Sequence, residues 1–289
     1  MFQIKYLIKR NILLYLRNKS TVFFSLLSMI IIIGLYALFM ADVNINSLLQ
    51  YNYNRELATW LINAWIMGGI ISVNAVNITL VLLINMVEDK DSNRLKDFVV
   101  APLKRSQIIF GYLGASILVG IIMTSLSFII AQIYILLNNG ELLSLFSTFK
   151  ILIGIIFSVI SISSMCLFGL LFVKSEKTAS TITTVVGTLI GFIAGVYVPI
   201  GAMPDFVQRI MKVFPISHIA TMFKQLFVEK PSNLFFENTN ELLEFNTFMG
   251  NVLYIRNTEI TYFMILIFLT ITSIIFFGLS LIKIKHDNK

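Results

Sequence analysis

Side chains able to do covalent or acid–base chemistry are few in this chain, which has two histidines and one cysteine among 289 residues. His218 and His286 lie far apart, in segments expected on opposite sides of a membrane, so they cannot share a metal ion. His218 reads as a helix-start residue. Cys166 sits in an apolar run, can form no intrachain disulfide and reads as packing. Catalysis or ion-coupled transport inside a bilayer needs a buried acid, base or activated nucleophile. The long apolar stretches hold no Asp, Glu or His. Nor is there a Gly-x-x-x-x-Gly-Lys-Ser/Thr loop to cradle the phosphates of ATP. The expectation is no catalytic residue, no metal and no cofactor.

What remains inside the apolar stretches is uncharged polarity. Thr59, Asn63, Asn74, Asn77 and Asn85 share one helical stretch and fall within an arc of roughly 80° at about 100° per residue. Such a stripe either lines a pathway or bonds helices together, since polar groups are costly in lipid and turn toward protein or water. Both readings stand. Gly187, Gly191 and Gly195 recur every fourth residue, with Ser180 and Thr184 on the same side. Small residues at that spacing let two helices approach closely. Packing is favoured there over a direct substrate role, against the second apolar stretch of the same subunit or of a partner. Gln132 reads as a satisfied interhelical bond.

The elements that must hold these residues follow from composition. Apolar residues make up 57% of the chain and charged ones 13%, with a mean hydropathy of +0.86, against about 45–50% and about 25% in soluble domains. The apolar excess collects in six stretches, at about 21–40, 59–87, 106–137, 151–173, 178–198 and 260–282. Each is near the ~20 residues a membrane helix needs. Lipid offers the backbone no partners and the runs lack barrel alternation, so helices are expected. The second and third exceed the hydrocarbon thickness and should tilt or project. The basic residues cluster before the first stretch, at 90–105, at 174–177 and after the last. That distribution puts both termini in the cytoplasm. The formal charge of +7 is then a topology signal, and no nucleic-acid partner is expected.

The start does not read as a cleaved signal peptide. Ile4, Leu7, Ile8 and Leu14 against Lys5, Lys9 and Arg10 predict an amphipathic helix on the inner membrane face, with a continuation of the first span as the alternative. No repeat or linker interrupts the chain, so residues 1–289 form one domain. Two segments between spans stand out. Residues 88–107 open on Glu88 and Asp89, place Leu95, Phe98 and Val99 on one helical face, and break at Ala101-Pro102 before Lys104-Arg105. This predicts a short surface helix, either a loop cap or a handle for a soluble partner. Residues 199–259 predict two short amphipathic helices dipping into the outer leaflet, over 205–214 and 218–228. Pro215 separates them and Ser217 caps the second. Residues 230–259 read as an exposed loop.

These two segments resemble the permease subunits of type-2 ABC exporters. The first carries Glu88, then Pro102-Leu103-Lys104-Arg105-Ser106-Gln107, then Gly111; the second carries Gly195-Val196-Tyr197-Val198-Pro199, Pro204 and Phe214-Pro215. Six spans and inside termini agree with the family over essentially the whole chain. It departs at Ser92-Asn93, where the family has a glycine-threonine pair. The resemblance implies an all-α polytopic membrane protein of the bacterial cytoplasmic membrane, with an N-terminal interfacial helix and outer re-entrant helices. It implies that Glu88, Asp89, Arg94, Leu95 and Phe98 belong to a coupling helix docking on an ABC ATP-binding subunit. It also implies a permease dimer, homo- or heteromeric, served by two such subunits, that exports cargo by alternating access. Spans without charge suit a hydrophobic or amphipathic cargo, such as a drug, an antimicrobial peptide or a lipid-like compound. The alternatives are a membrane-embedded enzyme and a non-transporting sensor or immunity protein.

Overall fold

The computed structural model describes residues 2–92, 104–255 and 258–286. In chain order it has α1 (Phe2–Arg17), α2 (Lys19–Phe39), α3 (Ala41–Leu48), α4 (Arg55–Asp91), α5 (Arg105–Leu137), α6 (Leu145–Leu170) and α7 (Glu176–Ile193). After a 3₁₀ turn at Ile200–Ala202 come α8 (Asp205–Met211), α9 (Pro215–Phe235), α10 (Thr239–Met249), a hairpin of β1 (Tyr254–Ile255) with β2 (Thr258–Glu259), and α11 (Tyr262–His286). Among the described residues five helices are long and apolar enough to cross a membrane: α2, α4, α5 from Ser106, α6 and α11. The chain is thus an all-α, multi-pass membrane protein.

Side-chain caps set several starts. Asn18, Asn54, Ser144 and Ser175 each accept a hydrogen bond from the backbone N–H three residues on, at 3.1–3.2 Å. Each satisfies one of the donors that a helix N-terminus leaves open. The central element is α4, whose 37 residues rise roughly 55 Å. It is buried along most of its length and packs against α5, α6, α7 and, most extensively, α9. By contrast, α2 and α11 lie outside and expose apolar side chains such as Phe24, Leu38, Ile267 and Ile274.

Several expected boundaries move. The stretch expected as a helix over 178–198 ends at Ile193. Gly195 then takes φ +61°, a left-handed conformation that glycine adopts without strain and that closes the helix. Because α7 opens on Glu176-Lys177, its apolar part falls short of the ~20 residues a spanning helix needs. The link between the first two spans holds α3. The second helix of the 199–259 segment starts with Pro215 in its first turn, where a missing N–H costs nothing. Ser217 therefore does not cap it; its hydroxyl donates to the Ile193 carbonyl at 2.8 Å. This helix runs on past Pro231 and is buried on most sides, so most of its length packs on protein.

Residues 230–259 are not an exposed loop either. Phe235, Phe236, Phe245, Met249 and Leu253 are buried, and their apolar area outweighs the polar residues between them. α10 forms on that buried face, and its end is closed by Gly250 at φ +71°. The expected surface helix at 93–103, with Arg94, Leu95 and Phe98, lies outside the described residues.

Candidate coupling site and transport path

The end of the bundle that carries most of the basic residues is built around the last turn of α4. Asp89 is there, its carboxylate only 3% exposed. Arg10 of α1 donates to it from Nη2 at 2.8 Å, and the Tyr112 hydroxyl of α5 donates to the same oxygen at 2.5 Å. A carboxylate in that position is tolerable because a charge and a hydrogen bond meet it. Arg10 is oriented in turn by Asn11, whose Oδ1 accepts from Nη1 at 2.9 Å. The close approach of α1 to α5 depends on two glycines. A Cβ on Gly111 would lie 2.5 Å from the Leu7 Cβ, and one on Gly114 would lie 2.6 Å from the Ile8 Cδ1. Leu7 and Ile8 thus pack on protein, while Tyr6, Leu14 and Leu16 are exposed on α1.

Asp91, one step beyond, accepts a hydrogen bond from the Glu176 backbone N–H at 2.9 Å. That places a carboxylate at the start of α7, where the helix dipole favours negative charge. The end of α4 is therefore fixed to α1 and α5 through Asp89 and to α7 through Asp91. The chain leaves this junction at Ser92 and returns at Lys104. Of the residues predicted from sequence, Asp89 is an anchor and Glu88 is half-buried beside it. Arg10, Asp91 and Tyr112 were missed. Acidic residues before a surface helix are visible in a sequence, but which buried tyrosine or arginine meets them is not.

The amide stripe of α4 divides between neighbours. Asn63 and Asn74 are buried, while Thr59, Asn77 and Asn85 are half-buried. The Asn74 amide donates to the Ser127 hydroxyl of α5, and its Oδ1 is buried without a partner. Further small hydroxyls line this seam. Ser116 and Ser163 bond across α5 and α6 at 3.2 Å, and Thr124, Ser158 and Ser161 are buried with unpaired hydroxyls. Asn77 turns instead toward α7, its Oδ1 3.8 Å from where a Cβ on Gly187 would sit. Thr59 bonds its own helix, donating to the Arg55 carbonyl at 2.8 Å. The short hydroxyl side chains of α5 and α6 were not singled out in the sequence, because they are scattered among larger apolar residues.

The three glycines near α7 do three different things. Gly187 leaves room beside Asn77; Gly191 is covered by the ring of Tyr197 from the following turn; Gly195 forms the left-handed turn against Ile200 and Lys224. Thr184 is exposed, its hydroxyl bonded to the Ser180 carbonyl at 3.0 Å. Thr181 and Thr188 satisfy theirs in the same way, on the carbonyls of Lys177 and Thr184.

At the opposite end α9 lies directly on α4. A Cβ on Gly68 would come within 2.8 Å of the Lys224 backbone, and Gly69 leaves space for Val196 and the Lys224 side chain. Lys224 is fully buried. Its Nζ donates to the carbonyls of Ala194 and Gly195 at 3.1 and 2.6 Å and lies 4.6 Å from the centre of the Trp65 ring. These are the open carbonyls just past α7, where a cation is favoured, and the aromatic face adds a cation–π attraction. Trp65 in turn donates to the Met249 carbonyl at 2.9 Å, and Thr221 to Gly250 at 2.9 Å. One lysine therefore joins α4, α7 and α9. His218 donates through Nε2 to the Lys212 carbonyl, 2.8 Å away, and its ring lies tilted 4.3 Å from that of Phe268.

A family model described as ABC-2 type transporter matches residues 2–228, from α1 into α9. No curated protein gives a match to the chain.

Proposed function

The chain belongs to the ABC-2 type transporter family, and from that premise we propose that it is the permease subunit of an ATP-driven exporter. Members of this family are transport components associated with an ABC ATP-binding subunit and are not themselves the catalyst. On our reading two such subunits serve a permease dimer. Cargo of hydrophobic or amphipathic character leaves by alternating access. The basic end faces the cytoplasm with both termini, in a bacterial cytoplasmic membrane, and α7 with the turn after it completes a sixth crossing. Basic residues on the inner side support that orientation.

The observation that carries the proposal is the junction at the end of α4. A handle for a soluble motor is useful only if it is rigidly joined to what must move. Asp89 and Asp91 join the end of α4, from which the chain continues into residues 93–103, to α1, α5 and α7. On this reading the motor docks on the face carrying Arg94, Leu95 and Phe98, with Glu88 beside it. Its stroke rocks α4 against α5 and α7, where the Asn74–Ser127 seam and the Asn77–Gly187 contact are the surfaces that slide. Whether Asn63, Asn74, Asn77 and Asn85 then line a path or hold helices together depends on which seam opens. Leu95→Asp or Phe98→Asp should leave insertion in the membrane intact while weakening the attachment of the ATP-binding subunit and lowering export. Unchanged export in both variants would overturn the docking assignment. A sensor or immunity protein without transport would purify with no ATPase.

A further inference from the structure

Two neighbouring cavities of about 410 and 360 Å³ open at the end opposite the basic junction, on either side of the last turns of α9. Both are lined by Lys150 of α6 and Glu229 of α9. These opposite charges share two cavities, yet no ion pair within 4.0 Å joins them, and neither has a charged partner among the described residues. The contrast is local. At the rim of the larger cavity Lys230 is paired with Glu141. The Lys150 ammonium instead sits over the rings of Phe146 and Tyr262, at 4.4 and 5.8 Å from their centres. In the smaller cavity the Asn251 Oδ1 is buried and accepts no hydrogen bond. A cation and an anion held apart beside an unused acceptor are complementary to a ligand that carries both charges itself.

We propose that this double cavity binds the zwitterionic head group of a membrane lipid, with its phosphate on Lys150 and its ammonium on Glu229 and Asn251. Two features select a lipid over a soluble zwitterion. Leu142 and Phe146 line the larger cavity and are exposed, Phe146 by 70%, so the cavity sits beside surface that suits acyl chains. The site also lies where α5 and α6, both long and apolar enough to cross the bilayer, come to their ends, the level at which head groups lie. The proposal rests on the membrane reading above, and on the proposed topology for the outer leaflet as source. A lipid held here would brace the ends of α6 and α9 against each other.

The test uses the full chain in detergent, where binding does not depend on orientation or transport, so a negative result here leaves the export reading untouched. Thermal stability is measured against added phosphatidylethanolamine, phosphatidylglycerol and soluble phosphoethanolamine. Phosphatidylethanolamine should stabilise, and Lys150→Ala and Glu229→Gln should each weaken its apparent affinity about 10-fold or more, as expected for losing one charge-assisted bond. Glu229 is exposed, so Glu229→Gln keeps the test valid should Lys150→Ala fold poorly. Equal stabilisation by phosphatidylglycerol would overturn zwitterion recognition. Equal stabilisation by soluble phosphoethanolamine would overturn the lipid as source. Unchanged affinity in both variants would overturn the site.

Discussion

Substituting Gly68 with alanine probes the seam on which the arrangement of α4, α7 and α9 depends. The added Cβ would stand 2.8 Å from the Cα and N of Lys224 and 2.9 Å from the carbonyl carbon of Phe223. Comfortable carbon contacts lie at about 3.5–4.0 Å, so the two helices must part by roughly 1 Å. The obstruction is backbone, and no side chain can turn aside. Overpacking of this kind costs about 1–3 kcal/mol. Moving α9 also stretches the Lys224 bond to Ala194, already 3.1 Å, losing about 1 kcal/mol more. Alanine's better helix propensity returns only about 0.5–1 kcal/mol. Gly278 of α11 has nothing within 4 Å of a built Cβ, so Gly278→Ala should be neutral or slightly stabilising. The two substitutions should differ by about 2–4 kcal/mol. Tryptophan fluorescence during thermal unfolding in detergent reads this directly, because Trp65 packs on Lys224. The reasoning fails if Gly68→Ala melts at or above the parent, or if Gly278→Ala loses as much.

Two other perturbations follow from the same geometry. Arg10→Ala removes the guanidinium facing a carboxylate that is 3% exposed, whereas Asp89→Asn leaves a guanidinium that is 31% exposed and able to reach water. The first should cost about 2–4 kcal/mol and the second about 1 kcal/mol; equal losses in a denaturation series would contradict the buried-anchor reading. His218 lies on α9, outside the membrane-crossing helices, and burial holds its pKa below the usual 6.5 against the opposing bond to Lys212. A lowered folded-state value means that the unfolded chain takes up its proton first as pH falls. The contribution to stability is then complete above about pH 6.5 and is lost as pH drops toward the folded-state value. Melting temperature should decline below pH 6.5, and His218→Gln should flatten part of that decline; identical pH profiles would refute the assignment.

How far the sequence reaches can be judged residue by residue. Uncharged runs announce α2, α4, α5, α6 and α11, because a bilayer demands length and apolarity and little else. That the apolar run of α4 gives way to charge at Glu88 and Asp89 was legible, and so was a helix following Phe214-Pro215, although its start at Pro215 was not. The burial of α9 was not. Lys224 in its middle looks like a surface residue until the open carbonyls past α7 and the face of Trp65 are seen to receive it. The same holds for Gly195, whose four-residue spacing from Gly191 imitates a helix face although its backbone is left-handed. Asp89 was chosen as part of a docking surface and is instead an internal tie, since spacing reveals the charge but not the arginine and tyrosine that cover it.

We propose that a separate ATP-binding subunit drives this permease through residues 93–103. The direct measurement is affinity purification of the tagged chain from its native membranes, with ATPase activity and co-purifying polypeptides determined for the parent and for the Leu95→Asp/Phe98→Asp double variant. ATP hydrolysis should appear together with a second polypeptide carrying a phosphate-binding loop, and both should be lost in the double variant while the chain remains in the membrane. A chain that hydrolyses ATP alone, or that keeps its ATPase after both residues are replaced, would contradict it.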